Sequence, residues 1–150
     1  MSIFKAYDVR GIYPEQLNED IAYKIGRAFV EFLKCKNVVI GRDMRLSSGL
    51  LFKALAEGIT DQGADVIEIG LSATPMLYFS VANYGFDSGL MVTASHNPKE
   101  WNGIKFTREK AIPISEATGI KEIEKLVLYK DDKNKIITNS DVKNLVKAAE

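Results

Sequence analysis

The chain has 150 residues, enough for one domain with a sizeable core, since a domain of this size buries roughly two-thirds of the surface its unfolded chain exposes. Its 20 basic residues balance 20 acidic ones, which excludes a global field recruiting nucleic acid or an anionic membrane, so any phosphate partner must be held by a few placed cations. The opening MSIFKAYDVRG lacks the apolar core of a signal peptide, no apolar run approaches membrane length, and Cys35 is the only cysteine; these features predict a soluble, cytoplasmic protein.

A first extended segment ends in YDVRG. A helix follows from about Asn18 to Leu33, with Ile21, Ile25, Ala28, Phe29 and Phe32 on one face and Glu19 and Asp20 in its first turn, where the helix dipole favours anions. Three short apolar runs, NVVIG (37–41), DVIEIG (65–70) and GLMVTA (89–94), have the composition of central parallel strands covered on both faces. Between the first two lies a helical stripe of Leu51, Ala54, Leu55, Gly58 and Ile59, with Ser47 or Ser48 expected to cap it. Between the second and third, Thr74-Pro75 supplies a cap and an N1 proline before MLYFSVANYG. The order βαβαβαβ predicts a three-layer α/β/α domain with a mixed, mainly parallel sheet.

After Asn102 the runs NGIKFT and KAIPI are short, partly alternating and set among charges, as edge strands often are. Ile120, Ile123, Leu126 and Val127 define another helix. The polar run near 129–139 reads as a linker, and NSDVKNLVKAAE as a C-terminal amphipathic helix leading towards further domains.

In an open α/β sheet, ligands bind at the carboxyl ends of the strands, and Ser95 lies just past the run Leu90 to Val92. Taken alone, Ser95 is a turn or capping residue before Asn97-Pro98, and His96 a hydrogen-bonded loop histidine. Neighbours on an extended backbone point apart, which disfavours a Ser-His relay, and the G-x-S-x-G elbow of hydrolases is missing. A serine that carries a phosphate needs nearby cations more than an adjacent base. Lys105, His96 and Arg10 are the candidates, against the alternatives of a solvated lysine and an Arg10 ion pair with Asp8 or a neighbour.

The four motifs AYDVRG, GRDMRLSS, TASHNP and NGIK, in this order, make the chain resemble the N-terminal domain of the α-D-phosphohexomutases, the phosphoglucomutase and phosphomannomutase superfamily. The resemblance implies that Ser95 is the phosphoserine and that Tyr7, Arg10, His96 and Lys105 line the active site. It further implies that the Ser95 phosphate helps bind Mg²⁺, with glucose 1,6-bisphosphate as activator. The implied reaction interconverts hexose 1-phosphates and hexose 6-phosphates through a bisphosphorylated sugar. GRDMRLSS is expected to be structural, with Arg42 tying its loop by ion pairs. FKAYDVRG is closer to the mannose and glucose branch than to the glucosamine branch, whose opening is more like FGTDGIRG. A non-catalytic sugar-phosphate binding module, a phosphoglucosamine mutase and a serine hydrolase are the alternatives. The family's DGDxDR metal loop and its late phosphate-binding loop do not occur in this sequence. That implies an inactive part of a longer enzyme, whose other domains are partners along with hexose phosphates.

Overall fold

The computed structural model describes residues 2–128. The expected linker and C-terminal helix lie outside the described residues. In chain order the elements are β1 (Asp8–Ile12), α1 (Glu19–Leu33), β2 (Asn37–Arg42), α2 (Leu46–Asp61), β3 (Asp65–Leu71), α3 (Thr74–Tyr84), β4 (Gly89–Val92), β5 (Trp101–Thr107) and α4 (Lys121–Leu128). A 3₁₀ turn at Glu109–Ala111 and a wider turn at Glu116–Ile120 join the last two.

The strands form one mixed sheet in the order β1-β5-β4-β2-β3. β2 runs parallel to both β3 and β4, while β5 is antiparallel to β4 and β1. Because successive side chains of a strand point to opposite faces, Val38 and Ile40 enter one core and Val39 the other. The larger core lies under α1, α2 and α4 and centres on Phe29 and Phe106, whose rings lie 5.8 Å apart. The smaller one packs Leu77 and Val81 of α3 against Val39 and Met91. Helices thus cover both faces, which makes the domain three-layered.

Local chemistry accounts for the helix ends. Asn18 caps α1 by accepting the Ile21 amide at 3.1 Å, satisfying one of the donors a helix leaves free at its start. Gly85 ends α3 with φ 69, in the left-handed region that glycine enters without a Cβ clash.

Five expectations change. Ser47 and Ser48 are not caps: Arg45 stands at the cap position of α2 without a side-chain capping bond to the helix, and both serines lie buried in the first turn, where tertiary partners take their hydroxyls. Thr74 and Pro75 open α3 as its first residues, and Ala73 occupies the cap. NGIKFT is no edge strand, since β5 lies between β1 and β4; the charged side chains beside it lie at its ends, and its Asn102, Gly103 and Ile104 are buried. KAIPI forms only the 3₁₀ turn and one bridge, Thr107 to Pro113, because Lys110 and Ala111 adopt positive φ and cannot continue a strand. Of the three runs expected at the centre, β3 instead forms the edge, and only intermediate or exposed residues occur along it.

Candidate active site

The segment after β4 turns sharply because Ser95 takes φ 54, a left-handed backbone that costs a non-glycine residue about 1–2 kcal/mol. Two bonds hold it there. The Ser95 amide donates to Thr93 Oγ1 at 3.0 Å, and the Ser95 carbonyl accepts from the Arg45 guanidinium, also at 3.0 Å. The hydroxyl itself has no hydrogen-bond partner among the described residues, and the side chain is exposed, as is that of His96. No Ser-His hydrogen bond forms, as the spacing of neighbours implied.

Residues distant in sequence build the support beneath this loop. The Asp43 carboxylate accepts from Thr93 Oγ1 at 2.8 Å, from Ser48 Oγ at 2.5 Å and from the Arg45 amide at 3.0 Å. Burial pushes that carboxyl up, but the bonds from Ser48, the Arg45 amide and Thr93, with the Arg45 charge, outweigh it and leave the group below its ordinary value. Buried Asn102 donates to Ser47 Oγ at 2.7 Å and Ser48 Oγ at 3.0 Å, joining the start of β5 to α2. Gly103 is required beside it, since a Cβ there would lie 2.3 Å from the Val9 carbonyl oxygen and 2.9 Å from that of Thr93.

The role expected of Arg42 belongs to Arg45. Arg42 reaches sideways to Glu68 on β3, at 2.7 Å, and lies over the Phe52 ring. Arg45 ties the loop, through the carbonyls of Ser95, Asn97, Pro98 and Trp101. The spacing of Asp43 and Arg45, two apart in a loop at a strand's carboxyl end, was the available signal.

Beside the loop lies an open cavity of about 480 Å³, lined by Tyr7, Asp8, Arg10, Tyr78 and Lys105, among others. Strand register explains the grouping: β1 and β5 pair Asp8 with Lys105 and Arg10 with Gly103. Arg10 makes the Asp8 ion pair, Nε to Oδ2 at 2.8 Å, and also donates to Asn97 Oδ1 on the serine loop. It therefore links the cavity to the loop while doing the structural work also expected of it. Lys105 has no ion-pair partner among the described residues, and Tyr7 is 74% exposed. Tyr7, Arg10 and Lys105 thus share the cavity, whereas Ser95 and His96 stand on the adjoining loop. Asp8 and Tyr78 are cavity residues that sequence reasoning did not single out.

Mg²⁺ fits poorly on this surface alone. Among the described residues no group of three or more His, Cys, Asp or Glu side chains is placed to hold a metal ion, and the nearby Asp43 carboxylate is engaged by its donors.

Comparison with known proteins bears on the fold and the family. Residues 1–134 match the family model described as phosphoglucomutase/phosphomannomutase, alpha/beta/alpha domain I. A phosphomannomutase of Escherichia coli is 51% identical over 131 residues, 87% of this chain and 29% of the relative. One of Klebsiella pneumoniae is 54% identical over 126 residues, 84% of this chain and 80% of that relative. A solved phosphoglucomutase/phosphomannomutase family protein from Burkholderia thailandensis matches with a TM-score of 0.76 and 37% identity, over 87% of this chain and 30% of its own. The chain therefore spans less than a third of the Escherichia coli relative's length. Motif order, sheet and sequence likeness together assign it to one family: the chain belongs to the phosphoglucomutase/phosphomannomutase family and carries its α/β/α domain I.

Proposed function

We propose that this chain is the phosphoserine domain of a hexose-phosphate mutase, with Ser95 as the phosphoryl carrier and mannose and glucose phosphates as substrates. One observation carries the reading: an exposed serine hydroxyl with no base bonded to it stands on a loop that Arg10 joins to a cavity containing Lys105. A hydroxyl so placed suits a group held by charge better than an acyl group that needs an adjacent base, which favours phosphoryl transfer over hydrolysis. Names of the relatives support the substrate class, and the phosphoglucosamine branch is a second choice on the opening FKAYDVRG.

In the donating step the Ser95 Oγ–P bond breaks and a bond forms between phosphorus and a hydroxyl oxygen of the sugar monophosphate. The proton of that hydroxyl passes to a base, for which His96 and Lys105 are this chain's candidates, and the departing Ser95 Oγ takes up a proton from the protonated member of that pair. Arg10 and the protonated member of that pair oppose the charge that develops on the moving group. The bisphosphate then turns round, and its other phosphate returns to Ser95 Oγ, whose proton passes to that pair as a proton goes back to the sugar oxygen. Glucose 1,6-bisphosphate would charge an empty serine by the same return step. Mg²⁺, held by the Ser95 phosphate together with ligands outside the described residues, would supply further charge neutralisation.

The test is Ser95→Ala in the complete polypeptide that carries this chain, assayed with glucose 1-phosphate, mannose 1-phosphate and added bisphosphate. Turnover should vanish while the melting temperature stays within a few degrees. Intact mass should show one phosphate on the parent protein and none on the variant. Undiminished turnover would remove Ser95 as carrier, tight sugar-phosphate binding without turnover by the parent would indicate a binding module, and stoichiometric labelling of Ser95 by an acylating reagent would indicate a hydrolase.

A further inference from the structure

The Ser95 hydroxyl has no partner of its own among the described residues, so its direction is set by the backbone beneath it. That backbone is gripped by one side chain. A guanidinium carries five N–H donors in a rigid planar fork, and all five of Arg45 have acceptors. Nε meets Asp43 Oδ2 at 3.2 Å; one terminal nitrogen meets the carbonyls of Pro98 (2.7 Å) and Trp101 (3.1 Å); the other meets those of Ser95 (3.0 Å) and Asn97 (2.7 Å).

Two consequences follow. A fork with every donor committed has none left for a sugar phosphate, which separates Arg45 from Arg10 and Lys105 in the cavity. Four carbonyls drawn to one plane also fix the curvature of the loop from Ser95 to Trp101. On the other side of Ser95, its amide is held by Thr93 Oγ1, whose own hydroxyl donates to the Asp43 carboxylate that anchors Arg45. Both peptide groups flanking the residue are thus tied to one Asp43–Arg45 unit, and its left-handed φ is maintained from both ends.

We infer that Arg45 is a positioning residue: through the loop backbone, with Asp43 and Thr93, it aims the Ser95 hydroxyl for phosphoryl transfer without touching the substrate. This rests on Ser95 being the carrier. A lysine at position 45 would keep the charge but offer three donors and no fork, so the loop would relax. Misplacement of a reacting group by about 1 Å costs on the order of 100-fold in rate.

The experiment compares Arg45→Lys, Thr93→Val and Ser95→Ala with the parent, in the complete polypeptide and well below its melting temperature. Arg45→Lys should lower kcat by roughly 10- to 100-fold, leave KM for glucose 1-phosphate within about twofold, and keep Ser95 capable of carrying phosphate by intact mass. Thr93→Val, which removes only the acceptor of the Ser95 amide and the bond to Asp43, should shift kcat the same way and decides the matter if the lysine variant does not fold. A purely structural Arg45 would lower the melting temperature and leave kcat of the folded enzyme within about threefold. That result, or a rise in KM at constant kcat, overturns the inference. If Ser95→Ala is inactive while both other variants turn over normally, only the positioning role falls. If Ser95→Ala is active, the carrier reading falls and takes the positioning role with it.

Discussion

At residue scale, Asp43 and Lys105 separate structure from chemistry. The bonds to Asp43 favour its ionised form, so its folded pKa lies below the ordinary ~3.9. A lowered carboxyl contributes stability that is complete above the unfolded value and is lost as pH falls through the folded one. Asp43→Asn should therefore melt well below the parent at pH 7, and the gap should close as pH drops below about 4. Melts at pH 7, 5 and 3 measure it, and a gap unchanged across that range would mean the charge is irrelevant. Lys105→Ala removes a cation that has no ion pair to lose among the described residues, so it is a cleaner probe of charge stabilisation than Arg10→Ala, which also strips buried Asp8 of its partner. Each should lower kcat/KM of the complete enzyme by on the order of 2–4 kcal/mol. Normal kinetics in both variants would return these residues to structure alone.

At element scale, the crossing of α1 and α2 depends on two glycines that let backbones touch. A Cβ on Gly58 would lie 2.1 Å from the Tyr23 carbonyl oxygen, and one on Gly26 2.5 Å from that of Leu55. Backbone atoms cannot rotate away as a flexible side chain does, so Gly58→Ala must push the helices apart and open the larger core. The expected loss is about 2–3 kcal/mol, which for a domain of this size lowers the melting temperature by on the order of 10 °C. Gly49, itself exposed near the start of α2, has nothing within 4 Å of the Cβ position. Gly49→Ala should stabilise by about 0.5–1 kcal/mol, because alanine orders less unfavourably in a helix. Thermal melts of the two variants check both signs, and equal shifts would refute the close-approach argument.

At the scale of the molecule, the described core is self-contained but the site is one-sided. Cores on both faces of the sheet are closed by helices within residues 2–128, so the 150-residue chain should unfold cooperatively by itself. Two dianionic phosphates ~6 Å apart repel by ~11 kcal/mol at an effective dielectric of ~20. Arg10, Lys105 and His96 on an open surface offset that only in part. We therefore expect the isolated chain to fold and yet show no turnover in a coupled assay for glucose 6-phosphate with Mg²⁺ and glucose 1,6-bisphosphate. Measurable turnover would show that these cations suffice, and a non-cooperative melt would show that the core needs other domains.

The sequence by itself determined the elements and the family. Helical and strand periods are local, so the stripes of α1 and α2 and the apolar runs of β2, β3 and β4 could be read within a few residues of one another, and the motifs TASHNP and NGIK carried the resemblance in plain order. Register and long-range bonds belonged to the tertiary structure. NGIKFT has the look of an edge strand because its charged neighbours are visible in sequence, while the strands on either side of it, β1 and β4, are not. Ser47 and Ser48 have the look of caps because a cap is a local bond, whereas Asn102 lies more than fifty residues away. Arg42 and Arg45 are equivalent in composition. Only folding decides which guanidinium meets the carbonyl of Ser95, fifty residues further along, because such a bond depends on where two strands leave their loops and not on any period in the chain.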